Sequence, residues 1–273
     1  MCADKDRPIG MFDSGFGGLT VARALIDLLP AENLVYIGDT GRYPYGPRPQ
    51  DEVCQFARQL AWSLVKQHDV KAVVVACNTA SAAALDHLQG ELPVLVVDVV
   101  EPGARALVAA SRSGRVGVIG TVGAIGSGAY ERAVASTGAD VHLTAAACPG
   151  FVEFVERGQT TGDEVTILAE RLLAPVKAAG VDALLLGCTH YPYLARVIGE
   201  VMGPDVILVS SADETAFATR ELLQRLDLLR TDDSDEPAEH RFYSSGDISW
   251  FADLGGRLLG PELGAADHWQ PPE

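Results

Sequence analysis

Short apolar, β-branched runs alternate with longer stretches of helical periodicity along almost the whole chain. The runs predict strands at residues 8–13, 34–39, 72–77, 94–98, 115–121, 141–147, 183–187 and 206–210, each bounded by turn residues. Helices fill the gaps between them, and the clearest periodicities fall at 51–67 and 163–179. Strands separated in this way by helices define an α/β chain with mainly parallel sheet.

The eight strands divide into two sets of four with matching spacing. From Asp13 to Cys77 is 64 residues and from Thr121 to Cys188 is 67; from Cys77 to Asp98 is 21 and from Cys188 to Ser210 is 22. IGMFDSG lies against VGVIGTV, and VVVACNT against LLLGCTH, in the same register. A repeated spacing of this kind marks an internal duplication. It makes Cys77 and Cys188 equivalent positions in two similar halves. Ligands of open α/β sheets bind beyond the carboxyl ends of the strands. Asp13, Asp39, Cys77, Asp98, Thr121, Cys148, Cys188 and Ser210 all fall at or near such ends.

The chain has 273 residues, 48% of them hydrophobic, enough for a sizeable core in one large domain or two small ones. Its formal net charge of -16 opposes binding to nucleic acid or to an anionic membrane surface. No apolar run approaches the roughly 18 residues of a membrane span, and the start, MCADKDRPIGMF, lacks the apolar segment of a secretory signal. Five scattered cysteines, an odd number without a CxxC pair, read as free thiols of a reduced, cytoplasmic chain.

A thiol with a pKa of about 8.5 can be held as a base while a twin stays protonated as an acid. Inversion of a carbon centre needs that pairing, because the proton leaves one face and returns on the other. A buried free cysteine is otherwise a small hydrophobe. Cys148, at a strand end, is a rival nucleophile, but AACPGF lacks polar companions and it reads as structural; Cys54 in a helical pattern and Cys2 in a mobile tail read as non-catalytic. Asn78 and Thr79 after Cys77 are favoured helix caps that could equally bind substrate oxygens. Thr189 and His190 follow Cys188; His190 could tune the thiol, whereas a zinc site there would want third and fourth ligands at a recognisable spacing. No metal is expected.

FDSGFGG, residues 12–18, follows a strand and opens a helix, so its amides suit a carboxylate or phosphate. With Asp39 at the end of the second strand it invites a dinucleotide reading, but GFGGLT does not give GxGxxG. The loop YPYG, residues 43–46, starts from the same edge. Of the four lysines, Lys5, Lys66, Lys71 and Lys177, none falls at the carboxyl end of a strand, where a pyridoxal enzyme would need its Schiff base. A cofactor-independent mechanism is the default. Competing classes are a racemase or decarboxylase for another acid, a nucleotide-binding oxidoreductase, and a binding module acting through the acidic run TDDSDEPAEH.

DSGFGGLTV, YIGDTGRYPYG, ACNTAS and LLLGCTHYP together resemble the glutamate racemase family, in order from about Pro8 to Leu229, and RFYSSGD is similar to that family's C-terminal end. The resemblance implies a cofactor-independent enzyme that interconverts L- and D-glutamate for bacterial peptidoglycan, commonly a homodimer. It places Cys77 and Cys188 as the catalytic thiols, Asp13 as the acidic assistant of the first and His190 as the assistant of the second. Asp13, Ser14, Tyr45, Gly46, Asn78, Thr79, Thr121, Thr189 and His190 fall on substrate-binding positions. The family's CPxFVPLVE stretch is CPGFVEFVERG here, with Glu153 in place of proline; Glu156 matches the family's glutamate but is left out of the expected site because of that change.

The expected architecture is two pseudo-symmetric, flavodoxin-like α/β domains facing across a cleft. The first would comprise residues 1–98 and 211–260, with a helix over 212–229 packing back on it. The second would comprise 99–210, and 261–273 would be a flexible tail.

Overall fold

The computed structural model describes residues 5–230, 237–260 and 262–271. Cys2 and most of the acidic run, 231–236, lie outside the described residues. The first half runs β1 (Ile9–Asp13), α1 (Leu19–Leu28), β2 (Leu34–Gly38), α2 (Gln50–His68), β3 (Ala72–Val75), α3 (Asn78–Glu91) and β4 (Leu95–Asp98). The chain then crosses through α4 (Val100–Ala110) to β5 (Arg115–Gly120), α5 (Val122–Gly126), α6 (Ala129–Ser136), β6 (His142–Ala147), α7 (Phe151–Glu156), α8 (Asp163–Ala178) and β7 (Ala183–Gly187). A 3-10 turn (Tyr191–Leu194), α9 (Ala195–Met202) and β8 (Ile207–Ser210) complete the second half, and α10 (Ser211–Arg225), β9 (His240–Ser244), α11 (Ile248–Leu259) and β10 (Asp267–His268) follow.

All strand pairs are parallel. The first sheet has the order β10-β9-β2-β1-β3-β4 and the second β6-β5-β7-β8. The block β2-β1-β3-β4 thus repeats as β6-β5-β7-β8, so β3 and β7 are counterparts and so are β1 and β5. Every residue of β1, β2 and β7 is buried, as expected of parallel strands covered by helices on both faces. Ala212, Ala216 and Leu223 of α10 join Ile9, Met11, Leu25 and Phe242 in one cluster, so this helix returns to the first sheet.

Two expectations change. The strand expected over 72–77 stops at Val75, because Cys77 turns out of the sheet to cap α3, its Sγ accepting from the Ala80 amide at 3.4 Å. The C-terminal segment, expected to be flexible from 261 onward, instead docks over its described residues. Asp267 and His268 pair with Tyr243 and Ser244 of β9, and Trp269 is 2% exposed with its indole Nε1 donating to Ser63 Oγ at 2.7 Å. One buried indole with its N–H satisfied outweighs the polar composition around it. β9 and β10 are long-range additions to the β2 edge, and local patterning gave no strand there.

Lys71 shows why a lysine in this chain need not be chemical. Its ammonium is buried, 2.5 Å from Glu32 Oε2, and donates to the Leu228 carbonyl at 3.0 Å, while Glu32 Oε1 accepts from the Arg230 amide. The pair clips the chain after α10 to the start of β3. Removing one partner would strand a buried charge.

Candidate active site

Where strand order reverses in an open α/β sheet, the connections diverge and leave a crevice at the carboxyl edge. That point lies between β1 and β3 in the first sheet and between β5 and β7 in the second. A single cleft of about 110 Å³ is lined from both: Ser14, Cys77, Asn78 and Thr79 come from the first crevice, and Thr121, Cys188, Thr189 and His190 from the second. Tyr45 and Gly46 line it from the loop after β2. Among the described residues that line the cleft there is no lysine or arginine. Nor do the described residues contain a group of three or more His, Cys, Asp or Glu side chains suited to a metal ion.

On the first wall, Cys77 is 5% exposed and its Sγ lies 3.6 Å from Ser14 Oγ. Burial pushes its thiol up to about 12, and the Asp13 carboxylate adds to the rise. Asp13 itself does not reach the cleft. It is fully buried at the end of β1, where Oδ2 accepts from the Gly15 amide at 2.9 Å and turns the side chain into the loop; Oδ1 has no hydrogen-bond partner. Burial raises its pKa, against the opposing pull of His190 and the loop amides. Asp13 therefore stands behind the wall, in electrostatic reach of Cys77, and is not among the residues that line the cleft.

On the second wall, Cys188 Sγ is 3.8 Å from His190 Nδ1. His190 Nε2 faces Glu156 Oε1 at 3.6 Å, an ion-pair separation too long for a hydrogen bond. Burial works to lower the imidazole, but Cys188, Glu156 and Asp13 outweigh it and raise it to about 10. The loop after β1 reaches this wall too. A Cβ on Gly17 would overlap Thr189 Oγ1 and the His190 ring, so the second glycine of FDSGFGG is needed for close approach.

The walls are also joined directly. Thr79 Oγ1 and Thr121 Oγ1 are 2.9 Å apart, the Gly123 amide donates to the Gly46 carbonyl at 2.9 Å, and Gln50 Nε2 donates to the Gly123 carbonyl. Thr121 Oγ1 further accepts from the Ala124 amide, capping α5. Tyr45 lines the cleft while its hydroxyl is bonded to the buried Asp39, which also takes Arg42 Nε and Ser245 Oγ. Asp39 is thus a structural acid that fixes the YPYG loop.

Three further residues, left out of the expected site, border it. Tyr43 packs against Phe16 and His190, and burial beside Glu156 raises its phenol. Glu156 is delivered by α7, the short helix whose altered sequence left it out. Its match to the glutamate of the family's CPxFVPLVE stretch was the available signal. Cys148 lines the cleft although buried, and burial pushes its thiol up to about 12.

Two like α/β halves that place the counterpart thiols Cys77 and Cys188 on a shared cleft make an enzyme architecture suited to a carbon approached from both faces. Comparison with known proteins points the same way. The Asp/Glu/Hydantoin racemase family model matches residues 14–219. The glutamate racemase of Parafrankia sp. (strain EAN1pec) is 55% identical over 94% of this chain and 92% of its own length. The structure of glutamate racemase isoform RacE1 from Bacillus anthracis superposes with a TM-score of 0.92 at 41% identity, covering 97% of this chain and 98% of that one. The Francisella tularensis glutamate racemase in complex with D-glutamate gives 0.90 at 33% identity, with the same coverage. The chain belongs to the Asp/Glu/hydantoin racemase family and, within it, to the glutamate racemases, which are isomerases.

Proposed function

We propose that this chain interconverts L- and D-glutamate without a cofactor, with Cys77 and Cys188 acting from opposite faces of the α-carbon. One cysteine, as thiolate, takes the α-proton and becomes a thiol; the other gives its S–H proton to the opposite face and becomes a thiolate. The reverse reaction exchanges the roles. The observation that carries the reading is that the two cysteines follow counterpart strands and line the same cleft. The relatives named above are glutamate racemases, one of them in complex with D-glutamate.

The chemical difficulty is the weak acidity of the α-C–H, at about 1.4 kcal/mol for each pKa unit separating it from a thiol. Charge that develops on the α-carboxylate needs donors already in place. The cleft offers the hydroxyls of Ser14, Thr79, Thr121 and Thr189 and the first amides of α3, all neutral and short. They hold carboxylates without a cation that would also trap the product. Asp13 and His190 serve as positioning and charge-setting groups, Asp13 behind Cys77 and His190 beside Cys188.

The reading extends to supply of D-glutamate for peptidoglycan by a cytoplasmic homodimer with no nucleic-acid or membrane partner. The net charge of -16 supports it, as do the free thiols of Cys54, Cys77, Cys148 and Cys188. Among the described residues no helix is long and apolar enough to cross a membrane. Racemisation run in heavy water tests the chemistry: product glutamate should carry deuterium at the α-carbon, and product that keeps its original hydrogen would rule out exchange through the thiols.

A further inference from the structure

Asn78 sits at the mouth of α3, next to Cys77, and lines the cleft while being 2% exposed. Its two polar atoms have different fates. Nδ2 donates to the Tyr130 hydroxyl at 2.8 Å, whereas Oδ1 is buried without a hydrogen-bond partner. A buried carbonyl left unpaired costs free energy unless something else completes it. Cleft-lining residues offer it nothing, so a ligand N–H is the partner that fits.

Tyr130 is a fully buried residue of α6, in the other half of the molecule from Asn78. A phenylalanine would fill the same core space, so the hydroxyl needs its own account. Its surroundings supply one: an ideal Cβ on Gly187 would lie 2.6 Å from the Tyr130 hydroxyl oxygen, so only glycine before Cys188 leaves room for the phenol to reach Asn78. The one hydroxyl therefore touches the residue after Cys77 and the residue before Cys188.

We infer that Tyr130 is a positioning residue for substrate: it holds the Asn78 amide with Nδ2 withdrawn, so that Oδ1 accepts from the substrate's ammonium group, and it ties that orientation to the Cys188 loop. The inference rests on the proposed glutamate reading, because it assigns the ammonium of an amino acid to this acceptor. Without the phenol oxygen the amide is free to turn and present N–H instead.

Titration calorimetry with D-glutamate and with glutarate, which has both carboxylates and no ammonium, separates the possibilities. Tyr130→Phe should weaken D-glutamate binding by about tenfold and leave glutarate within about twofold of the wild type, the size expected from one misdirected hydrogen bond. On an Asn78→Ala background the same substitution should add less than about twofold, since the effect runs through Asn78. Unchanged D-glutamate binding in Tyr130→Phe, an equal loss for glutarate, or an undiminished effect without Asn78 would each overturn the inference. Turnover of the wild type is read on the same preparation. Binding of D-glutamate without racemisation would sink the racemase reading and leave the Tyr130 result standing by itself.

Discussion

Cys77 and Cys188 follow counterpart strands of two sheets with the same strand order, yet Cys77 has a buried carboxylate behind it and Cys188 has an imidazole 3.8 Å away. Asp13 and burial together push the Cys77 thiol up to about 12, so Cys77 rests as a thiol near neutrality. His190, raised to about 10, supplies positive charge at the second wall. Duplication set a thiol on each wall of the cleft, and divergence of the neighbouring residues gave those thiols different electrostatic surroundings. The lesson is that pseudo-symmetry of backbone does not carry over to electrostatics, which depends on side chains that arrive from other elements.

The sharpest break of the comparison is removal of each thiol in turn. Cys77→Ser and Cys188→Ser should each lower racemisation by about 10³-fold or more, at the upper end of what a positioned acid or base contributes. The enantiomers have equal free energies, so kcat/KM must fall equally in both directions for either variant. The asymmetry belongs instead in kcat and in the isotope effect on α-deuterated substrate, which should differ between D- and L-glutamate. Near-normal turnover in either variant would discard the two-thiol assignment.

His190→Asn attacks one wall only and should cost about 10²-fold in kcat, within the range for general acid–base groups. It also has a pH signature. A group whose folded pKa lies above its unfolded value stabilises fully below the unfolded pKa, and the gain is lost as pH rises through the folded one. For His190 that window runs from about 6.5, the ordinary histidine value, up to about 10. Wild-type stability in denaturant titrations should therefore decline across this range, and His190→Asn should flatten the decline. An unchanged slope in the variant would remove His190 as the group responsible.

Local pattern carried most of the fold and the two thiols, since a strand ending in a small polar turn is legible from a few neighbouring residues. What it could not carry was pairing with distant chain. β9 and β10 exist because the β2 edge accepts Arg241 and Phe242 opposite Val35 and Tyr36, and Trp269 is buried because Ser63 and Arg42 receive it. At the site, Asp13 was legible as a strand-end acid, but its inward turn, with Oδ2 accepting from the Gly15 amide, was not. Tyr45 lies on the cleft, but the commitment of its hydroxyl to Asp39 is a contact that no local pattern shows. Tyr130 reaches the cleft residue Asn78, and Glu156 reaches His190, only through tertiary packing.

The smallest effect concerns the bond between the walls, and it distinguishes two threonines that look interchangeable. Thr79→Val deletes one partner of the Thr79–Thr121 hydroxyl pair with little change of shape, a loss of about 1 kcal/mol or roughly fivefold in KM. Thr121→Val deletes that bond and also the cap on the Ala124 amide, so its loss should be greater, by about another 0.5–2 kcal/mol. The double variant should be less than the sum of the two, because the shared hydrogen bond is removed only once. Equal single effects would mean that the cap contributes nothing, and strict additivity would mean that the two hydroxyls do not couple the walls in solution. Both outcomes are read from KM and unfolding midpoints on four proteins, and either would return the two walls to acting as independent surfaces.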